Sequence, residues 1–365
     1  MPKSFKILIA CGGTGGHLFP GIAVAEALRA RGHEVMLLIS EKKVDSEASA
    51  KYRHLNFETV PAVAKPPTFS PRMLPFLWKL RGSISHCKKL IRRFEPDAVI
   101  GMGGFTSLPP VYAGHKLGLK TFIHDSNARP GRANVMTSRF CTRVFLGLDA
   151  AKPFFPHRET VTTGTPVRPE IIDLPSREEA AEFFGMDAAR PTIVVTGGSQ
   201  GARRLNELSA AAAALLPAET QVLHIAGAAD FARVSEITQG REGYQVLGFC
   251  DQMPSAYAMA DLVIARSGAS SLTEISIAGH PSILVPYPHA ADDHQTRNAE
   301  VFADAGASKL VQERDLDAGK LATLATSILQ DLPTYKRMAK AARALAIPDA
   351  ADRVCAAIEA TLTPS

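Results

Sequence analysis

The chain has 365 residues, 46 % of them hydrophobic and 21 % charged, a composition that suits a folded protein of two domains. The formal charge, 41 − 36 = +5, is too small to mark a nucleic-acid binder, although clustered cations could meet an anionic membrane surface. Cys11, Cys87, Cys141, Cys250 and Cys355 are scattered and contain no C-x-x-C, which argues for reduced thiols and against a disulfide frame or zinc site. The N-terminus runs straight into an apolar strand and no apolar stretch nears the ~20 residues of a membrane span, so neither a signal peptide nor a span is expected.

In the first half, strands are predicted at Lys6–Ala10, Glu34–Ile39, Ala98–Gly101, Thr121–His124 and Arg143–Leu146. Helices are predicted at Pro20–Arg31, Ser83–Phe94 and Pro109–Leu117, with Gly32 and Gly118 placed as C-terminal caps. The segment from Pro61 to Arg93 interrupts this alternation. It carries Pro66, Pro67, Pro71 and Pro75, then Phe69, Leu74, Phe76, Leu77 and Trp78, then Lys79, Arg81, Lys88, Lys89, Arg92 and Arg93. It reads either as a proline-rich loop entering a core helix or as a peripheral membrane contact.

Thr165-Pro166-Val167-Arg168-Pro169 has the composition of a linker, giving domains at 1–166 and 167–346. In the second half, strands are predicted at Thr192–Thr196, Gln221–Ala226, Gln245–Gly248, Leu262–Ala265 and Ser282–Val285. Helices are predicted at Leu205–Leu215, Met253–Met259, Ser271–Ala278 and Gln295–Ala305, and a short amphipathic helix follows Pro348. Strands alternating with helices predict an α/β chain with two parallel sheets, each covered on both faces.

Two glycine turns occupy matching places in the halves: Gly12-Gly13-Thr14-Gly15-Gly16-His17 and Gly197-Gly198-Ser199-Gln200-Gly201-Ala202. Strand, glycine turn and helix together aim backbone N–H groups at phosphate. Neither turn is a G-x-G-x-x-G dinucleotide fingerprint or a P-loop. Asp315-Leu316-Asp317 has a D-x-D form but precedes a helix, where capping is its simpler use. His289, Asp292, Asp293 and His294 lack recognised metal-ligand spacing.

His17 lies just before Pro20, the predicted first residue of a helix whose electropositive end disfavours a second proton on the ring. A neutral imidazole there suits a general base, or merely hydrogen-bonds the turn. Asp125 and Asn127 follow a strand, where ligands bind but where turn residues also collect. Ser271-Leu272-Thr273-Glu274 is a capping-box pattern, so Glu274 either caps a helix or binds a diol. Gln295 and Asn298 share a helical face, either as sugar ligands or as ordinary surface amides.

Taken in order, these motifs resemble the MurG family: the first glycine turn with Pro20-Gly21, Gly101-Met102-Gly103-Gly104, the second turn with Asn206, Arg266-Ser267-Gly268-Ala269 with Glu274, and Asp293-His294-Gln295 with Asn298. The resemblance spans nearly the whole chain. It implies a GT-B fold, with two Rossmann-like domains facing across a cleft and a C-terminal helix, 347–365, returning to the first domain. It implies inverting transfer of N-acetylglucosamine (GlcNAc) from UDP-GlcNAc to the C4 hydroxyl of lipid I, giving lipid II for peptidoglycan. It further implies no cofactor, no metal and a peripheral place on the cytoplasmic face of the bacterial inner membrane. The anionic membrane surface is an implied partner, with other cell-wall synthesis enzymes as candidates.

Carried over by residue, the resemblance puts uracil on Phe249 and the backbone of Cys250, where an aliphatic residue is usual. It puts phosphate at Ser199 and Gln200, with Arg168 and Arg266 near the diphosphate. Ribose falls on Glu274, and the sugar on Ala269, Gln295 and Asn298. Thr14, Gly15, Gly16, His17 and Asn127 take the acceptor side, with His17 as base and Asp125 as the next candidate. The chain departs from the family in having His124-Asp125-Ser126-Asn127 for His-Glu-Gln-Asn, and Thr165 for asparagine. The rival readings are another GT-B enzyme, either a glycolipid glycosyltransferase or a UDP-GlcNAc 2-epimerase, and an inactive sugar-nucleotide-binding regulator.

Overall fold

The computed structural model describes residues 3–42, 45, 50–61, 71, 73–198 and 202–363. They form two compact units, Met1–Arg168 with Pro348–Ser365, and Pro169–Ile347.

The first unit holds β1 (Lys6–Ala10), α1 (Gly15–Ala30), β2 (Glu34–Ile39), β3 (Asn56–Thr59), α2 (Met73–Phe94), β4 (Ala98–Gly101), α3 (Leu108–Lys116), β5 (Lys120–Asp125), α4 (Arg132–Ser138), β6 (Arg143–Leu146) and β7 (Glu159–Thr162). The strands make one parallel sheet in the order β3-β2-β1-β4-β5-β6-β7. Alternate residues feed two cores. Ile7, Ile9, Val35 and Leu37 join α1 on one face, while Leu8, Met36, Leu38 and Val99 join α2 and α3 on the other. Burial on both faces is why these strands read as continuous apolar runs.

The strand order turns back between β1 and β4, which pair with Ala10 opposite Gly101. Turns after such strands leave a crevice where α/β sheets bind ligands. The second unit repeats the device. It contains α5 (Pro169–Ile172), α6 (Arg177–Phe184), β8 (Thr192–Thr196), α7 (Arg203–Ala213), β9 (Gln221–Ile225), α8 (Phe231–Ile237), β10 (Tyr244–Leu247), α9 (Met253–Met259), β11 (Leu262–Ala265), α10 (Ala269–Ala278), β12 (Ser282–Leu284), α11 (His294–Asp304), β13 (Ser308–Leu310), α12 (Ala318–Gln330) and α13 (Leu332–Leu345). Its parallel sheet runs β10-β9-β8-β11-β12-β13, and its order turns back between β8 and β11.

Several predicted elements change. Helix α1 begins at Gly15, not Pro20, because the Thr14 carbonyl accepts the amides of His17 and Leu18, at 3.1 and 3.0 Å. Pro20 therefore lies inside the helix, and His17 sits in its first turn. Helix α2 starts ten residues before Ser83, with Pro75 in its first turn, where a missing amide is tolerated. The edge strands β3, β7 and β13 and the short α4 were not predicted. Their three to seven residues carry little apolar pattern, and pairing or packing selects them. Asp317 caps α12 by accepting the Lys320 amide at 2.8 Å, the use expected for the D-x-D segment.

Helix α14 (Ala350–Leu362) belongs to the first unit and packs on α1. Val354, Cys355 and Ile358 are buried in the core shared with α1. Around them Arg31 pairs with Asp352 at 2.8 Å and with Glu359 at 3.0 Å, and His33 Nε2 meets Glu359 at 2.8 Å. The apolar stripe should dominate this docking, since partly exposed ion pairs contribute little. Ile358→Ala should cost about 2–4 kcal/mol by urea denaturation, and Glu359→Gln less than about 1 kcal/mol. Equal losses would assign the docking to the charges.

Candidate functional site

The first glycine turn is built by close backbone approach. A Cβ on Gly12 would lie 2.3 Å from the Ser40 amide nitrogen and 2.8 Å from Asp45 Oδ2, and Gly13 has φ +112°. Three side chains hold the turn. The Gly13 amide donates to Asp45 Oδ2 at 2.8 Å, Lys42 Nζ donates to the Gly13 carbonyl at 2.9 Å, and Thr106 Oγ1 donates to the Gly12 carbonyl at 2.6 Å. Thr14 and Gly16 are exposed and Gly15 half-buried, so the start of α1 meets solvent. Thr14 Oγ1 lies 3.1 Å from His17 Nδ1.

The His17 ring rests on the turn after β4. A Cβ at Gly103 or Gly104 would come within 2.9 Å of it, and both glycines have positive φ. The Gly104 amide donates to Asn134 Oδ1 at 3.0 Å, and Asn134 Nδ2 donates to Asp125 Oδ2 at 2.7 Å. Asp125 also accepts the amides of Asn127 and Gly131, at 2.9 and 3.2 Å, and Asn127 Nδ2 at 3.3 Å. Thr14, His17, Asp125 and Asn127 thus form one constellation. Within it Asp125 is buried and occupied by donors, so it organises the loop; burial raises its pKa while those donors oppose the rise. Burial lowers the His17 pKa to about 4, with Asp45 acting upward and Lys42 downward. Arg168 lies over the Phe19 ring, 4.8 Å from its centroid.

In the second unit, Gly198 has φ +77° and donates its amide to Thr196 Oγ1 at 3.2 Å. Ser199 and Gln200 lie outside the described residues, as does Phe69. Asn206, in the first turn of α7, is fully buried. Its amide donates to the Ala226 carbonyl at 2.8 Å and Asp230 Oδ2 at 3.0 Å, and its Oδ1 lies 3.0 Å from His224 Nε2. His224 Nδ1 in turn meets Tyr244 Oη at 2.6 Å, so the start of α7 is tied to β9 and β10. Beyond β10, Phe249 is 74 % exposed, a large apolar ring facing solvent, and Cys250 is half-buried.

Glu274 is not a capping-box residue. Helix α10 starts at Ala269 after Gly268, which places Ser271 inside the helix, and Glu274 Oε2 accepts from Tyr257 Oη at 3.0 Å. Ala269 is half-buried in the first turn of that helix. Arg266 is committed to its own unit. Its guanidinium donates to the carbonyls of Val285 and Pro286, each at 3.0 Å, and to Glu313. Gln295 and Asn298 are not loose surface amides. Gln295 Oε1 accepts the Tyr287 amide at 2.9 Å, Asn298 Nδ2 donates to the Ser267 carbonyl at 3.1 Å, and Asn298 is fully buried. Sequence reading missed Asp45, Thr106 and Asn134; their roles depend on contacts 9 to 94 residues apart.

Residues 7–146 match the glycosyltransferase family 28 N-terminal domain, and residues 192–354 match the corresponding C-terminal domain. A UDP-N-acetylglucosamine–N-acetylmuramyl-(pentapeptide) pyrophosphoryl-undecaprenol N-acetylglucosamine transferase from Nostoc sp. is 38 % identical over 96 % of both chains. One of the same name from Citrifermentans bemidjiense is 36 % identical over 97 % of this chain and 99 % of its own. The crystal structure of Acinetobacter baumannii MurG superposes with a TM-score of 0.78 at 30 % identity, covering 98 % of this chain and 100 % of that one.

His17, His124, His224 and His280 are all held down to about 4, in each case chiefly by burial. Between pH 6.5 and 4 the unfolded chain binds the extra protons. Their contribution to stability is therefore complete above about pH 6.5 and lost as pH falls toward 4. Unfolding near pH 5 should take up about one proton per histidine, hence about two in each unit. Calorimetry in buffers of different ionisation enthalpy measures this uptake; a value near zero would mean that the folded rings already carry protons.

Proposed function

The chain belongs to the MurG family of N-acetylglucosamine transferases, and from that membership we propose how its residues carry GlcNAc from UDP-GlcNAc to lipid I, making lipid II for peptidoglycan. The observation that carries the mechanism is the His17 ring set on glycine at the first sheet's crevice, where burial lowers its pKa to about 4. The C4 hydroxyl of the muramoyl acceptor attacks the anomeric carbon, the bond from that carbon to the diphosphate oxygen breaks, and configuration inverts. The hydroxyl proton passes to His17, and UDP carries away the negative charge. Thr14 orients the ring through Nδ1.

The donor occupies the second unit. Phe249 stacks on uracil, the Cys250 backbone reads the base edge, and Glu274 accepts hydrogen bonds from the ribose diol. Ala269 offers a backbone contact near the sugar. The sugar meets Gln295, with Asn298 fixing α11 beneath it. Main-chain donors of the turn that includes Ser199 and Gln200, with the N-terminus of α7, meet the developing diphosphate charge. Family membership assigns Arg168 to that charge, whereas Arg266 is bound to Glu313 and shapes the loop at Tyr287.

Among the described residues no helix is long and apolar enough to cross a membrane. We propose that the lipid acceptor is met at a membrane surface through α2. Leu74, Leu77 and Trp78 are exposed, Trp78 by 80 %, with Lys79, Arg81, Lys89, Arg92 and Arg93 also exposed along the helix. Phe76 faces inward against Phe105, their centroids 5.9 Å apart, and leaves the proposed membrane face. On this reading the protein sits peripherally on a membrane surface through α2. The family resemblance makes that surface the cytoplasmic side of the inner membrane, with other cell-wall synthesis enzymes as candidate neighbours.

The transfer reading is tested with labelled UDP-GlcNAc, with and without lipid I. His17→Asn should lower kcat by ~10²-fold or more while UDP-GlcNAc affinity stays within about twofold. Wild-type turnover in this variant would remove His17 as the base. Replacing Leu74, Leu77 and Trp78 together with serine should weaken sedimentation with anionic vesicles by about tenfold or more, without changing UDP-GlcNAc affinity. Unchanged sedimentation would reject α2 as the docking surface.

A further inference from the structure

We propose that Asp45 is the positioning carboxylate of the acceptor side: it sets the glycine turn through Gly13 and supplies the negative charge that supports a proton arriving on His17. The inference rests on the reading of His17 as the base. It starts from an asymmetry in the Asp45 side chain. Oδ2 accepts from the Gly13 and Ser40 amides, both at 2.8 Å, and from Ser40 Oγ. Oδ1 is buried and has no partner among the described residues, and Asp45 as a whole is 0 % exposed.

A neutral asparagine oxygen could accept the Gly13 and Ser40 amides. A carboxylate brings a second oxygen into the interior unpaired, which costs stability, and such a group calls for an explanation beyond capping. The explanation lies in what surrounds it. Gly12 and Gly13 pass directly over the carboxylate, and the same turn leads through Thr14 to His17. Among the described residues, Asp45 and Lys42, which follow β2, act on the His17 ring by charge, and His124, on β5, feels that ring in turn. Asp45 favours a proton on the ring and Lys42 opposes one.

A base needs that support. The half-buried ring, its pKa lowered to about 4, is unprotonated at pH 7 and ready to accept, but the same lowering makes it a weak acceptor. A fixed carboxylate offsets part of this when the ring becomes positive, as a nearby opposite charge does in general. Asp125 does not fill the role. Its oxygens are occupied by the donors of Asn127, Gly131 and Asn134. His17 Nδ1 faces the Thr14 hydroxyl, so the coupling to Asp45 runs through space and through the turn rather than along a carboxylate–imidazole hydrogen bond.

The test compares Asp45→Asn, Asp45→Glu, His17→Asn and the double variant Asp45→Asn/His17→Asn in full-length protein. Asp45→Asn should lower kcat by about tenfold, leave KM for UDP-GlcNAc within about twofold, and move the acid-side fall in kcat to lower pH. Asp45→Glu should recover part of the loss. In the His17→Asn background the same change should cost less than about twofold, because the charge then has no ring to support. Unaltered kcat in Asp45→Asn, or the full tenfold loss persisting without His17, would overturn the proposal. Should His17→Asn itself turn over normally, the base assignment fails separately. The ¹⁵N titration of His17 then decides for Asp45: a shift to lower pH in Asp45→Asn upholds the coupling, and an unmoved titration overturns it.

Discussion

The backbone at Gly12 lies so close to Ser40 that no side chain fits between them. That contact is possible because β1 and β2 run parallel and in register, Ala10 beside Leu38, up to the point where both leave the sheet. The acceptor-side arrangement proposed for the first unit follows from it. The turn must be glycine, its amide must find a buried acceptor, and the helix that follows must begin at Gly15. The Gly103-Gly104 turn, after β4, lies under the His17 ring and gives the imidazole a floor without side chains.

Burial acts in two directions here. It keeps His17, His124, His224 and His280 neutral, so the interior of each unit tolerates imidazole as an uncharged hydrogen-bonding group. It also makes carboxylates expensive, and the two buried near the first crevice are handled differently. Asp125 is surrounded by donors, whereas Asp45 has one oxygen holding several donors and one with no partner among the described residues. The first arrangement builds a loop. The second is the carboxylate proposed to support the turn and its imidazole. A buried ion pair, Arg266 with Glu313, shows a third solution, in which a cation is consumed holding backbone carbonyls in place.

The two units use one scaffold for different chemistry. Each sheet reverses its strand order beside a glycine turn, β1 with β4 in one and β8 with β11 in the other. In the first unit the crevice collects an imidazole, a hydroxyl and amides, groups suited to a proton on an acceptor. In the second unit the residues proposed for the nucleotide sugar are an exposed ring at Phe249, a carboxylate at Glu274 and a fixed amide at Gln295. Asn206 and His224 lock the start of α7 by the same logic that Asn134 and Asp125 use to lock Gly104.

Much of this was legible in the residues themselves. Apolar runs such as Lys6–Ala10 and Thr192–Thr196, alternating with helices, dictate parallel sheets because only a strand covered on both faces reads that way. The ordered glycine turns, with His17, Glu274 and Gln295, identify the family by local pattern alone. Other features depended on distant chain segments meeting. Pro20 looked like a helix start until the Thr14 carbonyl claimed the amides of His17 and Leu18. Phe76 could not be told from Leu77 and Trp78 until Phe105 packed against it. Arg266 carried no mark that Glu313, 47 residues on, would take its charge. Asp45 is one acid among many in the sequence, and only the pairing of β1 with β2 places it under Gly13. Sequence determines what each short segment prefers; which charges remain free at the site is decided by long-range packing, which no local pattern encodes.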